Sequence, residues 1–85
     1  MRRIFRDWQE SDIDRIGVSN FAQAMRGKLK AKRLAGRYGW ANQDVCTVGR
    51  LKQMLRHHAK KDDMVDVGNI AMMIYNRERC MKDKP

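Results

Sequence analysis

Residues 64–74 form a dense apolar segment, MVDVGNIAMMI, and this segment constrains the fold more than any other. If it is helical, apolar side chains lie on almost every face, and such a helix belongs at the centre of a bundle. Asp63 precedes the segment as a candidate N-cap, and Asp66 adds a carboxylate in the first turn, where the helix dipole favours negative charge. The segment therefore predicts a central helix on which the rest of the chain packs.

Hydrophobic residues recur at helical spacing in two further segments, 19–35 and 47–60, and Thr47 is a candidate N-cap for the second. No segment alternates with the period of a strand. The link from 47–60 to the central helix, expected over 64–79, is short, which favours antiparallel packing. We therefore predict an all-α fold, a small helical bundle that contains an antiparallel helical hairpin.

The chain has 85 residues, the size of one small domain. Residues 1–18 are predicted to form an N-terminal arm with a short helix that starts in a capping box at Ser11 and ends at Gly17. Residues 19–80 are predicted to form the helical domain, and residues 81–85 a frayed tail. Because so short a chain buries a limited core, the composition is compatible with a homodimer.

Positive charge dominates the first half of the chain. The net charge is +9, with 19 lysines and arginines, and no acidic residue lies between Asp14 and Asp44. Such a balance favours an anionic partner, either nucleic acid or an acidic protein. The alternative is an ordinary solvated face. The candidate contact residues are Arg26, Lys28, Lys30, Lys32, Arg33, Arg37 and the aromatic Tyr38.

Strong signals for a cofactor or a membrane are missing from the sequence. There is no CxxC, HxxxH or Walker-type loop, so no cofactor is predicted. No apolar run approaches the length of a membrane span, and no secretory signal is visible. The two cysteines are far apart. These features predict a cytoplasmic protein with free thiols and no membrane partner.

A cluster of acidic residues lies at the start of the central helix, near a histidine pair. It permits two interpretations. The carboxylates either cap the helix, or they hold a hard cation such as Mg²⁺ or a nucleotide phosphate together with neighbouring groups. The candidate residues for a nucleotide or metal site are His58, Lys61, Asp63, Asp66 and Asn69.

The two interpretations predict different contacts. In a pure scaffold, Asp66 bonds the backbone at the start of its own helix and Asn69 bonds a loop carbonyl near Trp40, because buried polar groups need partners. In a ligand site, both side chains border a cavity with His58 or Lys61 across it. We expect the scaffold arrangement.

Residues 65–74, VDVGNIAMMI, resemble the DVANFAMMI signature of the MazG-like, all-α nucleotide pyrophosphohydrolases. The upstream residues are similar to a small phage-type domain described as the N-terminal part of dATP/dGTP pyrophosphohydrolases, and the resemblance covers roughly residues 19–79. The upstream residues that carry it are Phe21, Met25, Lys28, Leu29, Lys32, Arg33, Gly36, Arg37, Gly39, Trp40, Cys46, Leu51, Met54, Leu55, His58, Lys61 and Asp63.

The resemblance implies a helical bundle, a phage origin with the protein acting in the host cytoplasm, and nucleotide chemistry. Enzymes of this family hold Mg²⁺ with an ExxE and an ExxD motif. Here Asp63 and Asp66 stand at the second motif, whereas His58 and Lys61 stand at the first and supply no carboxylate. We therefore expect a binding protein, such as a regulator or anti-defence factor, and no hydrolase. The alternative is a nucleotide-binding or pyrophosphohydrolase-like protein.

Overall fold

The computed structural model describes residues 9–80, so the predicted tail and residues 1–8 of the predicted arm lie outside the described part. Three helices follow one another: α1 spans Glu10–Leu34, α2 spans Val48–Lys60 and α3 spans Met64–Arg79. α3 packs against both other helices, most extensively against α2. The predicted all-α fold with a central third helix is confirmed.

α1 is one continuous helix that starts at Glu10, and the predicted stop at Gly17 is wrong. A glycine inside a helix costs only about 1 kcal/mol relative to alanine, which is too little to end a helix of this length. The predicted capping box at Ser11 is also wrong. Gln9 is the N-cap, and its side chain makes no capping hydrogen bond. The helix is 25 residues long, or about 37 Å.

A left-handed residue ends α1. Gly36 has a φ of +87°, a conformation that glycine adopts without steric cost. The reversal lets the Arg37 N–H donate to the Lys32 carbonyl at 2.8 Å and the Gly36 N–H donate to the Arg33 carbonyl at 3.0 Å. These bonds satisfy carbonyls that the last helical turn leaves without partners. The chain then enters the loop that leads to α2.

α2 and α3 form the predicted hairpin. The Thr47 hydroxyl accepts a hydrogen bond from the Arg50 N–H at 3.1 Å, so the predicted N-cap of α2 is confirmed. Three residues, 61–63, connect the two helices, and Asp62 takes a φ of +59° in the middle of the turn. Aspartate tolerates this conformation better than most residues. The short connection brings the start of α3 close to the end of α2.

The core is small and lies where α3 meets the other helices. Leu51 and Ile70 are its buried apolar residues among those described. α1 can approach α3 closely because position 68 is a glycine. A Cβ added there would lie 2.5 Å from the ring of Phe21. No helix within residues 9–80 combines the length and hydrophobicity needed to cross a membrane.

Candidate anion-binding cavity

The carboxylate of Asp66 lies at the centre of an ion-pair cluster between α1 and α3. Lys28 Nζ donates to Asp66 Oδ2 at 2.8 Å, and Lys32 Nζ lies 3.0 Å from Asp66 Oδ1. The two lysines are four residues apart, so successive turns of α1 present them on one face. Only 6% of the Asp66 side chain is exposed. The lysines therefore neutralise a carboxylate that would be costly to bury alone.

The contact between Lys28 and Asp66 shifts the pKa values of both residues. Burial raises the pKa of the Asp66 carboxyl, because it disfavours the charged form. The ammonium groups of Lys28 and Lys32 together outweigh burial, and the pKa of Asp66 lies below its usual value. The hydrogen bond to Asp66 raises the pKa of Lys28, against a smaller effect of desolvation. Each partner thus favours the charged form of the other.

The predicted capping of α3 by aspartate side chains is wrong. Asp63 occupies the N-cap position, but its carboxylate makes no capping hydrogen bond. His58 Nδ1 instead lies 3.3 Å from Asp63 Oδ2 and 3.6 Å from Asp66 Oδ2. Lys61 Nζ lies 3.6 Å from Asp63 Oδ2. Cationic groups from α1 and from the hairpin turn reach these oxygens, and contacts to charged groups are stronger than contacts to a neutral N–H.

His58, Asp63 and Asp66 offer three ligand atoms within 4.8 Å of one another. Magnesium prefers oxygen ligands and usually keeps several waters, and here one of the three donors is nitrogen. Both oxygens of Asp66 already face lysine ammonium groups at 2.8 and 3.0 Å, and a divalent cation would have to displace them. The donor set therefore fits the magnesium ion of the resemblance poorly.

Asn69 is buried, and one of its two polar atoms lacks a partner. Its Nδ2 donates to the Met25 carbonyl of α1 at 3.2 Å, whereas its Oδ1 has no hydrogen-bond partner. The predicted bond to a loop carbonyl near Trp40 is wrong, because α1 lies closer to this side of α3 than the loop does. The residue is 3% exposed. An unpaired buried acceptor costs about 1–3 kcal/mol.

Arg77 holds the loop that precedes α2. Its Nη1 donates to the Trp40 carbonyl at 2.7 Å and to the Cys46 carbonyl at 2.6 Å, and the residue is 4% exposed. Arg77 was not among the predicted site residues. A usable signal was present, since Arg77 stands seven residues after Ile70 and so lies on the same buried face of α3.

A cavity of about 550 Å³ lies between the loop, α1 and the hairpin. Trp40 lines it together with apolar residues of all three helices, including Leu51, Ile70 and Met73. Polar groups line the rest. The cavity is thus an apolar space with a charged side, and cations outnumber acids there. The polar lining residues are Lys32, Arg33, Arg37, His58, Asp66 and Asn69.

Most of the predicted site residues border this cavity, but they do so on two sides. Three of the predicted nucleotide or metal residues line it, namely His58, Asp66 and Asn69, whereas Lys61 and Asp63 pair with each other just outside. Of the predicted basic contact set, four residues line the cavity and three do not. Those that do are Lys32, Arg33, Arg37 and Tyr38, and those that do not are Arg26, Lys28 and Lys30.

No protein-family model, no curated protein and no solved structure matches this chain.

Proposed function

We propose that the protein binds a nucleoside phosphate in the cavity and does not hydrolyse it. The observation that carries this proposal is that Asn69, whose Oδ1 is buried without a hydrogen-bond partner, is one of the residues around a cavity whose lining also includes Arg33 and Arg37. A ligand that donates an N–H to Asn69 would remove the cost of a buried acceptor. The amino and imino groups of nucleobases are donors of this kind.

The dimensions and the lining agree with such a ligand. A volume of about 550 Å³ lies within the range of small-molecule sites, roughly 300–1,000 Å³. Trp40 and the apolar walls offer surfaces for a base, since base–aromatic stacking contributes about 1–3 kcal/mol. Arg33 and Arg37 offer guanidinium groups, which bind phosphate through paired hydrogen bonds. An apolar half and a cationic half match the two halves of a nucleotide.

Binding without hydrolysis follows from the state of Asp66. Phosphoryl chemistry in the resembling enzymes requires several free carboxylates around Mg²⁺. Here Lys28 and Lys32 occupy both oxygens of Asp66, and His58 and Lys61 contact Asp63. These contacts leave no free carboxylate pair next to the cavity. The positive groups favour retention of an anionic ligand over activation of water.

Calorimetric titration with dAMP, dATP and inorganic phosphate, without added metal, tests the proposal. We expect the nucleotides to bind more tightly than phosphate alone, because they also fill the apolar half. Arg37→Ala should weaken nucleotide binding at least tenfold, since a hydrogen bond to a charged group contributes about 1.5–3 kcal/mol. Arg26→Ala is the matched control, because Arg26 does not line the cavity.

A second matched pair tests the role of Asn69 itself. Asn69→Ala removes an amide that donates to the Met25 carbonyl, and Asn76→Ala removes an amide that donates to the Met72 carbonyl. Only Asn69 lines the cavity. We expect the first substitution alone to weaken nucleotide binding. Absence of nucleotide binding to the unmodified protein, or equal losses from Arg37→Ala and Arg26→Ala, would show that the cavity has another role.

A different observation favours a second function, the binding of nucleic acid along α1. At about 100° per residue, Arg15, Arg26, Lys30 and Arg33 fall within a 60° arc on the exposed side of the helix. Arg15 pairs with Asp12 at 3.3 Å, and none of the other three has an ion-pair partner within residues 9–80. A row of exposed cations, three of which have no ion-pair partner among the described residues, suits a phosphate backbone.

The salt dependence of binding tests this second function. With three or four phosphate contacts, the logarithm of the association constant for a duplex should fall against the logarithm of salt with a slope of about −3. The double substitution Arg26→Ala with Lys30→Ala should reduce the slope by about 2, whereas Asn69→Ala should leave it unchanged. If neither duplex nor single-stranded DNA binds at low salt, an acidic protein becomes the candidate partner of this face.

A further inference from the structure

We infer that the cavity and the exposed cations of α1 bind one ligand together, a single strand of nucleic acid. The inference rests on the proposed function, because one nucleotide of the strand would occupy the cavity. The observation that carries it is the position of Arg33. This residue lines the cavity, and it also belongs to the basic row on α1, which consists of Arg15, Arg26, Lys30 and Arg33. The two surfaces therefore meet at one side chain.

The order of the residues around α1 makes the two surfaces continuous. Leu29, Lys32 and Arg33 are the residues of α1 that line the cavity, and they span about 100° of the helix circumference. Arg33 lies at one edge of that span. The basic row begins at Arg33 and extends about 60° further around the helix, as far as Lys30. A bound strand can thus pass from the cavity to the basic row without leaving the surface of α1.

The spacing of the cations along α1 suits the backbone of such a strand. Arg33, Lys30 and Arg26 are all exposed, and they follow one another toward the start of the helix. The helix rises by about 10 Å between Arg33 and Arg26. The phosphates of one stacked strand lie about 3.4 Å apart along its axis. The three cations therefore match the phosphates of about three nucleotides next to the one in the cavity.

The cavity favours a single strand over a duplex. In a duplex the donors of a base are paired with the complementary base, and the base must be extruded before a pocket can hold it. Extrusion costs free energy, which an unpaired base does not have to supply. An unpaired base can stack on Trp40 and can donate to Asn69, whose Oδ1 has no hydrogen-bond partner. A duplex would contact the basic row alone.

A ligand that reaches both surfaces binds more tightly than a ligand that reaches one. Once the strand is held along the basic row, its next nucleotide is present at the cavity in high effective concentration. The mononucleotide dAMP reaches only the cavity. We therefore expect a single strand to bind about 100-fold more tightly than dAMP at low salt, and more tightly than a duplex of the same length.

Competition between dAMP and a fluorescent DNA strand of about 16 nucleotides, the upper end of known single-strand site sizes, tests the inference. Fluorescence anisotropy measures the binding of the strand. We expect saturating dAMP to weaken the binding of the single strand about tenfold and to leave the binding of the matching duplex unchanged. If dAMP binds but does not change the affinity of the strand, the cavity and the basic row act separately. The proposed function then stands and the inference fails.

Substitutions test the shared use of the two surfaces. Arg33→Ala should weaken the binding of dAMP, of the duplex and of the single strand. Arg26→Ala with Lys30→Ala should weaken the binding of both DNA forms and leave dAMP unaffected, because neither residue lines the cavity.

The asparagine pair decides the inference even where dAMP alone does not bind, a result that would overturn the proposed function. Asn69→Ala should weaken the binding of the single strand several-fold and leave the duplex unchanged, whereas Asn76→Ala should affect neither. A loss of strand binding that is confined to Asn69→Ala supports the inference. Equal binding of the strand to the two variants, or equal binding of strand and duplex to the unmodified protein, overturns it.

Discussion

Replacing Arg77 with methionine is expected to lower the free energy of unfolding by about 3 kcal/mol. Arg77 is 4% exposed, and its Nη1 donates to the carbonyls of Trp40 and Cys46. Each hydrogen bond to a charged group contributes about 1.5–3 kcal/mol. Methionine keeps most of the apolar stem and removes the desolvation cost of a buried cation, which offsets part of that sum. The two half-buried carbonyls lose this donor, and we expect that loss to outweigh the gain, so that the variant is less stable.

Arg79→Met is the control for this prediction. Arg79 lies in the same last turn of α3, but it is exposed, with its guanidinium carbon 5.7 Å from the centre of the Tyr75 ring. A contact of this kind contributes about 0.5–1 kcal/mol at an exposed site. Urea unfolding followed by circular dichroism measures both variants. Equal stability of the two would show that the loop does not depend on Arg77.

Arg77→Met should also change the cavity, because Arg77 holds the loop that forms part of its wall. Trp40 forms part of the cavity wall and is held in place through its own carbonyl. We therefore expect Arg77→Met to weaken nucleotide binding as well, under conditions where the variant remains folded. Arg79 does not line the cavity, so its replacement should leave binding unchanged.

The bounds of α2 and α3 followed from local signals in the sequence. The capping signals lie next to the helix ends in the sequence. Thr47, for example, forms the expected hydrogen bond with the Arg50 N–H. The start of α1 was not predicted correctly. Glycine often ends helices, but the chain continues as a helix through Gly17. Whether a glycine ends a helix depends on the turn that follows it, as at Gly36, and residue type alone does not encode that.

The candidate residues of the site were largely predictable, but their partners were not. Asp66 pairs with Lys28 across 38 positions, and Arg77 bonds Trp40 across 37. Helical periodicity tells which face a residue occupies, but it does not tell which residue of another helix lies opposite. Periodicity would, however, have placed Lys28 and Arg26 on different faces of α1, because residues two apart lie about 200° around a helix.

Asp66→Asn is expected to lower the free energy of unfolding by about 2 kcal/mol at pH 7. Asparagine keeps the shape of the side chain but removes the charge that Lys28 and Lys32 face. Breaking a fully buried ion pair costs about 3–5 kcal/mol. Here 42% and 29% of the two lysine side chains are exposed, so solvent screens part of the loss. Asp63→Asn is the control and should cost less, because 35% of that side chain is exposed.

The pH dependence of this effect distinguishes a charge interaction from simple packing. The pKa of Asp66 is lowered in the folded protein, so its contribution is complete above the unfolded pKa, about 4, and is lost as the pH falls through the folded pKa. The pKa of Lys28 is raised, so its contribution is complete below the unfolded pKa, about 10.4, and is lost as the pH rises through the folded pKa. The stability difference between the unmodified protein and Asp66→Asn should therefore be constant between about pH 5 and pH 9 and should shrink on either side. Urea unfolding at each pH measures it, and a difference that persists unchanged below pH 3 would mean that shape rather than charge holds α1 on α3.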